Sequence, residues 1–213
     1  MSLATSRALR FAVSVAVVAV VSALFAVAFR AALFRAVHVA SDADDLVTAM
    51  TAAPWWLRLC LQALGGLVAG VLVQRATRGN HGVGAVMEAV ALGRVRLSLR
   101  STLVRATATW CAIVTGGSIG REGPLIQVGG AVGKVTGERL GLDPERLRIA
   151  IACGCAAGFT AAYNTPFAAV LFVLEIVIGV IVVEAVVPIV VATVIATALT
   201  RAVVGAVPLY GER

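Results

Sequence analysis

Apolar residues fill this chain in long blocks, broken by short polar or glycine-rich gaps. The first block runs from Phe11 to Phe29 and stays apolar to about residue 36, with Arg7 and Arg10 before it and Arg30 and Arg35 towards its far end. It is about 19 residues at its core, longer than a signal-peptide core and long enough to span a bilayer. The pattern therefore predicts a retained first membrane helix over roughly 11–36. Residues 41–54 are acidic and polar and read as a loop. A second span follows over about 55–73, and Arg75 and Arg78 come after it. Basic residues before the first span and after the second, with acidic ones between, place the acidic loop outside and the basic ends inside.

Beyond residue 80 the blocks shorten. A helix over 83–93 is too short to cross a membrane. Another apolar helix covers 99–114 and stops at Thr115-Gly116-Gly117-Ser118. Pro124 opens a helix over 124–140. Asp143 and Pro144 form a helix-start signal for 144–160, an N-cap followed by proline at the first helical position. Asn164-Thr165-Pro166 repeats that signal before an apolar helix to about 178, and Gly179 separates it from a last span over 180–204. Backbone broken at membrane depth is tolerated only where protein buries it or a cavity wets it. Interrupted helices of this kind point to a transport or channel site.

Composition supports the same class. The 213 residues are 60% hydrophobic and 14% charged, against about 25% charged in a soluble domain. Apolar residues run in blocks without alternating, which excludes a transmembrane barrel and leaves an all-α integral membrane protein. The net charge of +7 sits on scattered arginines beside the spans, as the positive-inside bias produces, and carries no nucleic-acid signal. Cys60, Cys111, Cys153 and Cys155 lie in apolar segments without metal-ligand spacing, and read as small buried residues. No metal or cofactor is expected. Glycines recur at four-residue spacing in Gly66/Gly70, Gly129/Gly133/Gly137 and Gly154/Gly158, which lets helix backbones approach closely. No internal repeat or linker divides the chain, so 1–213 reads as a single transmembrane domain.

The chemistry concentrates at two glycine-rich loops. A helix start leaves backbone N–H groups unpaired and carries about half a positive charge, so an anion satisfies it. Gly79-Asn80-His81-Gly82-Val83-Gly84 precedes the short helix, and Gly120-Arg121-Glu122-Gly123 precedes Pro124. An ionised carboxylate at membrane depth costs about 2.5–3.5 kcal/mol on insertion scales, and such residues are functional by default. Glu122 can act as a built-in anion, filling the site when ionised and leaving it when protonated; the alternative is a structural ion pair with an arginine. Arg121 can hold the ion electrostatically or pair with a carboxylate elsewhere. His81 can donate to the ion or simply satisfy its loop. Glu175 is a buried hydrogen-bond anchor or part of a proton path, and Glu184 a packing or interface residue. No G-x-S-x-G, H-E-x-x-H or Walker lysine motif is present, so the chain does not read as an enzyme.

These residues resemble the CLC family of chloride channels and chloride/proton antiporters. Gly120-Arg121-Glu122-Gly123-Pro124 resembles the family's G-[KR]-E-G-P, and Gly158 to Phe172 (GFTAAYNTPFAAVLF) its second signature. The His81-Gly82-Val83-Gly84 loop stands where the family has G-S-G-I-P or G-H-G-V-P. The resemblance implies a bundle of tilted, partly re-entrant helices, the first of two inverted repeats. No eukaryotic targeting signal stands in the sequence, so a bacterial-type plasma membrane is the expected location. The resemblance also implies a homodimer in the lipid bilayer with one chloride pathway per subunit, Glu122 as the gate, and His81, Gly82, Val83, Gly120, Arg121, Glu122 and Gly123 around the anion. Three departures stand out. Gly84 replaces the motif's proline. Ile176 replaces the second glutamate of family antiporters, which resembles the channel branch. The second repeat, with its G-x-F-x-P block, has no counterpart here, so a missing C-terminal half-chain is an expected partner.

Overall fold

Helix α1 (Leu3–Ser41) contains neither glycine nor proline, and it runs unbroken past both ends of the predicted 11–36 span. The computed structural model describes residues 3–41, 46–76, 82–92, 97–179 and 182–205. After α1 come α2 (Leu46–Ala52), α3 (Trp55–Arg75), α4 (Gly82–Leu92), α5 (Leu99–Val114) and α6 (Glu122–Arg139). Then follow α7 (Pro144–Tyr163), α8 (Pro166–Phe172), a π-helical segment Val173–Ile178, and α9 (Val183–Val204). Among the described residues there is no strand. The chain is an all-α integral membrane protein: the α1–α2 stretch, α3 and α9 are long and apolar enough to cross a membrane.

Four boundaries differ from the sequence reading, each for a local reason. Part of the predicted 41–54 loop is helical, because Leu46–Ala52 is rich in good helix formers. Pro54 ends it, and Arg58 donates to the Ala53 and Thr51 carbonyls at 2.8 and 3.0 Å, satisfying the free C-terminal acceptors. Helix α6 starts at Glu122 rather than Pro124, since a proline within the first turn lacks only an N–H that has no helical partner there. Asn164 does not start α8. It ends α7 in the left-handed conformation, φ 56°, and Thr165 provides no side-chain cap for α8. The helix from 166 changes to π geometry at Val173, so the stretch read as one helix is two segments. The Asp143 signal holds: its carboxylate accepts from the Arg146 N–H at 3.0 Å.

Helix α7 is the centre of the bundle. Residues Ile149 to Gly158 are all buried, with α1, α6, α8 and α9 packed around them. A helix apolar on every side belongs in such a position. Helices α6 and α7 run antiparallel at backbone contact: a Cβ on Gly129 would overlap the Gly154 carbonyl, and one on Gly154 would overlap the Gly129 carbonyl. Gly133 meets the Ala150 carbonyl and Gly158 the Leu125 carbonyl along the same seam. Small residues of α9 (Ala185, Ala192, Ala196) and α1 (Ala19, Ala23, Ala26) join the same core. Two polar side chains in the apolar α9 bond to their own helix: Thr193 and Thr197 donate to Val190 and Thr193 carbonyls at 2.8 and 2.7 Å.

Helix α3 is different. It packs on α5, where Gly65 faces Thr115, and Gly65 is its one buried residue. Gly66 and Gly70 have no neighbour within 4 Å of a would-be Cβ, so that spacing does not mark a contact among the described residues. Cys60 is exposed on the same helix, against the expectation of burial, and Cys111 is half-buried, whereas Cys153 and Cys155 are buried in α7.

Gly154→Ala is therefore expected to destabilise the bundle by at least the 1–3 kcal/mol typical of overpacking, because it forces backbone from backbone. Gly66→Ala is expected to be neutral. Thermal unfolding of both variants in detergent checks the contrast.

Candidate functional site

Helix α5 ends at Val114, where the Thr115 hydroxyl donates back to the Cys111 and Ala112 carbonyls, both at 3.0 Å. Gly116, at φ 90°, reverses the chain, and the Gly117 N–H bonds to the Ala112 carbonyl at 2.9 Å. Gln62 of α3 donates to the Gly116 carbonyl at 3.2 Å and ties this turn to the neighbouring helix. Residues Ser118 to Gly120 are exposed, and Arg121 and Glu122 are half-buried. From Pro124 to Gly133, α6 is buried throughout. The start of α6 is thus a rim where exposed chain becomes buried helix.

No side chain caps this start; Arg121 occupies the N-cap position and makes no capping bond. The Glu122 carboxylate turns back over Gly120, where it is the nearest group to a would-be Cβ. Gly123 has open space beside it. A helix end that lacks a cap and carries a carboxylate on its first residue is the electrostatic arrangement an anion would complete. Among the described residues Glu122 has no ion-pair partner, so the alternative of a structural pair with an arginine finds no support.

Its partner is a phenol. The Tyr163 hydroxyl donates to Glu122 Oε1. Tyr163 is the last residue of α7, and the antiparallel seam is what brings the end of α7 to the start of α6. The ring is held on several sides. Phe159 packs against it at 5.1 Å and itself stacks on Phe172 at 4.9 Å. The Arg121 guanidinium lies 5.4 Å from the Tyr163 ring centroid, a cation–π contact. At the next residue, Asn164 Oδ1 accepts from Arg201 Nε of α9 at 3.1 Å, which pins the α7–α8 joint.

The other predicted residues are placed unevenly. His81 lies outside the described residues. Gly82 and Val83 open α4, with Val83 half-buried. Helix α4 packs on α6, with Val86 against Gly130, about two turns beyond Glu122. Gly120, Arg121, Glu122 and Gly123 are together by continuity. Glu175 lies on the π-helical segment and is exposed, without a hydrogen bond or ion pair among the described residues. That corrects the idea of a buried anchor: the π turn rotates the carboxylate out of the core. Glu184 is exposed in the first turn of α9. Sequence reasoning missed Tyr163 as a partner of Glu122. It lay inside the second quoted motif, but only the α6–α7 seam reveals what it faces.

The family model described as voltage gated chloride channel matches residues 65–213. The chain belongs to the CLC family. A ClcB-like chloride channel protein of Ralstonia nicotianae is 41% identical over 160 residues, 72% of this chain and 37% of the relative. The voltage-gated ClC-type chloride channel ClcB of Shigella flexneri is 35% identical over 168 residues, 76% of this chain and 40% of the relative. Among solved structures, a slow cyanobacterial Cl⁻/H⁺ antiporter superposes with TM-score 0.76 at 23% identity, covering 93% of this chain and 48% of that one. A eukaryotic CLC transporter gives TM-score 0.71 at 18% identity, over 98% and 40%. These superpositions show a CLC fold, and this CLC chain spans less than half the length of each of these relatives.

Because Asn164 is left-handed, Asn164→Ala is expected to cost about 1–2 kcal/mol and to free Arg201. Asn164→Gly keeps the backbone and loses only the side-chain bond, so it should recover most of that loss. Thermal unfolding of the two variants in detergent decides this.

Proposed function

We propose that this chain builds a CLC-type chloride pathway, channel-like, in which the Glu122 carboxylate is the gate. One observation carries the reading: the uncapped, half-buried start of α6 bears that carboxylate on its first residue, and a tyrosine hydroxyl holds it in place. The carboxylate competes with chloride for the same positive helix end. When it is ionised and bonded to Tyr163 the site is closed; when it is protonated or displaced, an anion can take the amides near Gly120 and Gly123. Arg121 raises the local anion concentration. Gly82, Val83 and His81 contribute the second helix start, and chloride is the cargo with no cofactor. Ile176, where family antiporters carry a second glutamate, favours a channel over a proton exchanger. Glu175, on the π segment, is then the remaining candidate for any proton path. In this reading residues 1–213 form one transmembrane domain of a homodimer in a bacterial-type plasma membrane.

A second reading has its own support. Helix α3 buries one residue, and the matched relatives are more than twice the length of the aligned region. A pathway wall would then come from a further half-chain seated on α3.

Chloride efflux from liposomes holding the 213-residue chain tests both. Glu122→Ala is expected to raise efflux and abolish its pH dependence. Tyr163→Phe removes a hydrogen bond to a charged group, about 1.5–3 kcal/mol, and should shift the balance towards the open state by roughly ten- to a hundredfold. Unchanged rate and pH dependence in Glu122→Ala would remove the gating role. Folded protein with no efflux, restored by adding the C-terminal half of a ClcB relative, would establish the second reading.

A further inference from the structure

At the far end of the α6–α7 seam from Glu122, the two helices are joined by the turn Leu140–Asp143, and the first turns of α1 pack beside it. A recess of about 360 Å³ opens there, lined by Arg7, Arg10, Gly141, Leu142, Asp143 and Arg146. Three guanidinium groups from two separate parts of the chain face one volume. The single carboxylate among them is already engaged. Asp143 Oδ1 caps the Arg146 N–H at 3.0 Å, and Oδ2 lies 3.5 Å from Arg146 Nε. Asp143 therefore orients Arg146 and leaves its terminal nitrogens unused. The Phe11 ring supports the same guanidinium at 5.7 Å. Arg7 and Arg10 are exposed and make no hydrogen bond or ion pair with the described residues. The start of α7 adds its own positive end.

We infer that this recess is a binding site for a phosphate group, and that its occupant is the headgroup of an anionic phospholipid. Guanidinium groups match phosphate oxygens two at a time, and a preset Arg146 loses little freedom on binding. The depth argues for lipid over free phosphate. The apolar run of α1 begins at Phe11, one turn after Arg7, and Leu9 and Val13 are exposed on the same stretch. The guanidiniums thus sit where a bilayer's headgroups begin, on the face that the positive-inside bias puts in the cytoplasm. The site stands on α1, α6 and α7 alone, and it does not depend on how Glu122 acts.

Native mass spectrometry of the detergent-solubilised chain tests the site, with phosphatidylglycerol, phosphatidylcholine or inorganic phosphate added in turn. The key variant is Arg7→Gln/Arg10→Gln, since both side chains are exposed and hold no structural contact. The control is Arg75→Gln/Arg100→Gln, which removes the same charge elsewhere. Wild type and control are expected to retain phosphatidylglycerol over phosphatidylcholine. The Arg7/Arg10 variant should retain it about tenfold less at unchanged thermal stability. Equal retention by that variant, or an equal loss in the control, would overturn the site and leave diffuse surface charge. Retention of inorganic phosphate without a preference for phosphatidylglycerol would overturn the lipid as occupant and leave a soluble phosphate ligand.

Discussion

The whole arrangement rests on one close approach, the backbone contact of Gly129 with Gly154 between antiparallel α6 and α7. In lipid, apolar side chains gain little by leaving one hydrocarbon environment for another, so helix association depends on packing. Glycine permits the shortest distance, and Gly133, Gly158 and their carbonyl neighbours extend the contact along the seam. The remaining core follows. Helix α7, enclosed on all sides, becomes the axis against which α1 and α9 lay their small residues.

The seam also sets the register of the chemistry. Because the helices are antiparallel, the end of α7 must lie beside the start of α6, and Tyr163 reaches Glu122. At the other end the same register puts Arg146 at the turn below Gly137, next to the basic start of α1. The Glu122 cluster and the arginine-lined recess are thus separated by the buried stretch from Leu125 to Gly133. The polarity of the molecule is a consequence of helix packing, and CLC membership agrees with it.

Local deviations lie where the backbone has to change direction inside the bundle. Asn164 takes a left-handed conformation at the α7–α8 joint, and Arg201 reaches over to hold it. The π-helical segment from Val173 lets one apolar stretch keep Val173, Leu174 and Val177 buried while Glu175 stays outside the core. Both devices follow from the same requirement: a polar or bent residue needs either a partner or an exit.

The order and character of the helices, the membrane class and the break before α6 were legible in the sequence. Each depends on local composition, which acts over a few residues: apolar blocks set spans, while Gly, Pro, Asp143 and the charged pair at 121–122 set breaks. Non-local facts were not legible. That Gly129 meets Gly154 whereas Gly66 and Gly70 meet nothing, that Tyr163 bonds Glu122, and that Arg7 shares a recess with Arg146 all depend on which faces pack together. Spacing shows that a close contact is possible, but the partner lies tens of residues away in sequence. Only the tertiary packing selects it, because each helix face can be satisfied by several others until the bundle closes.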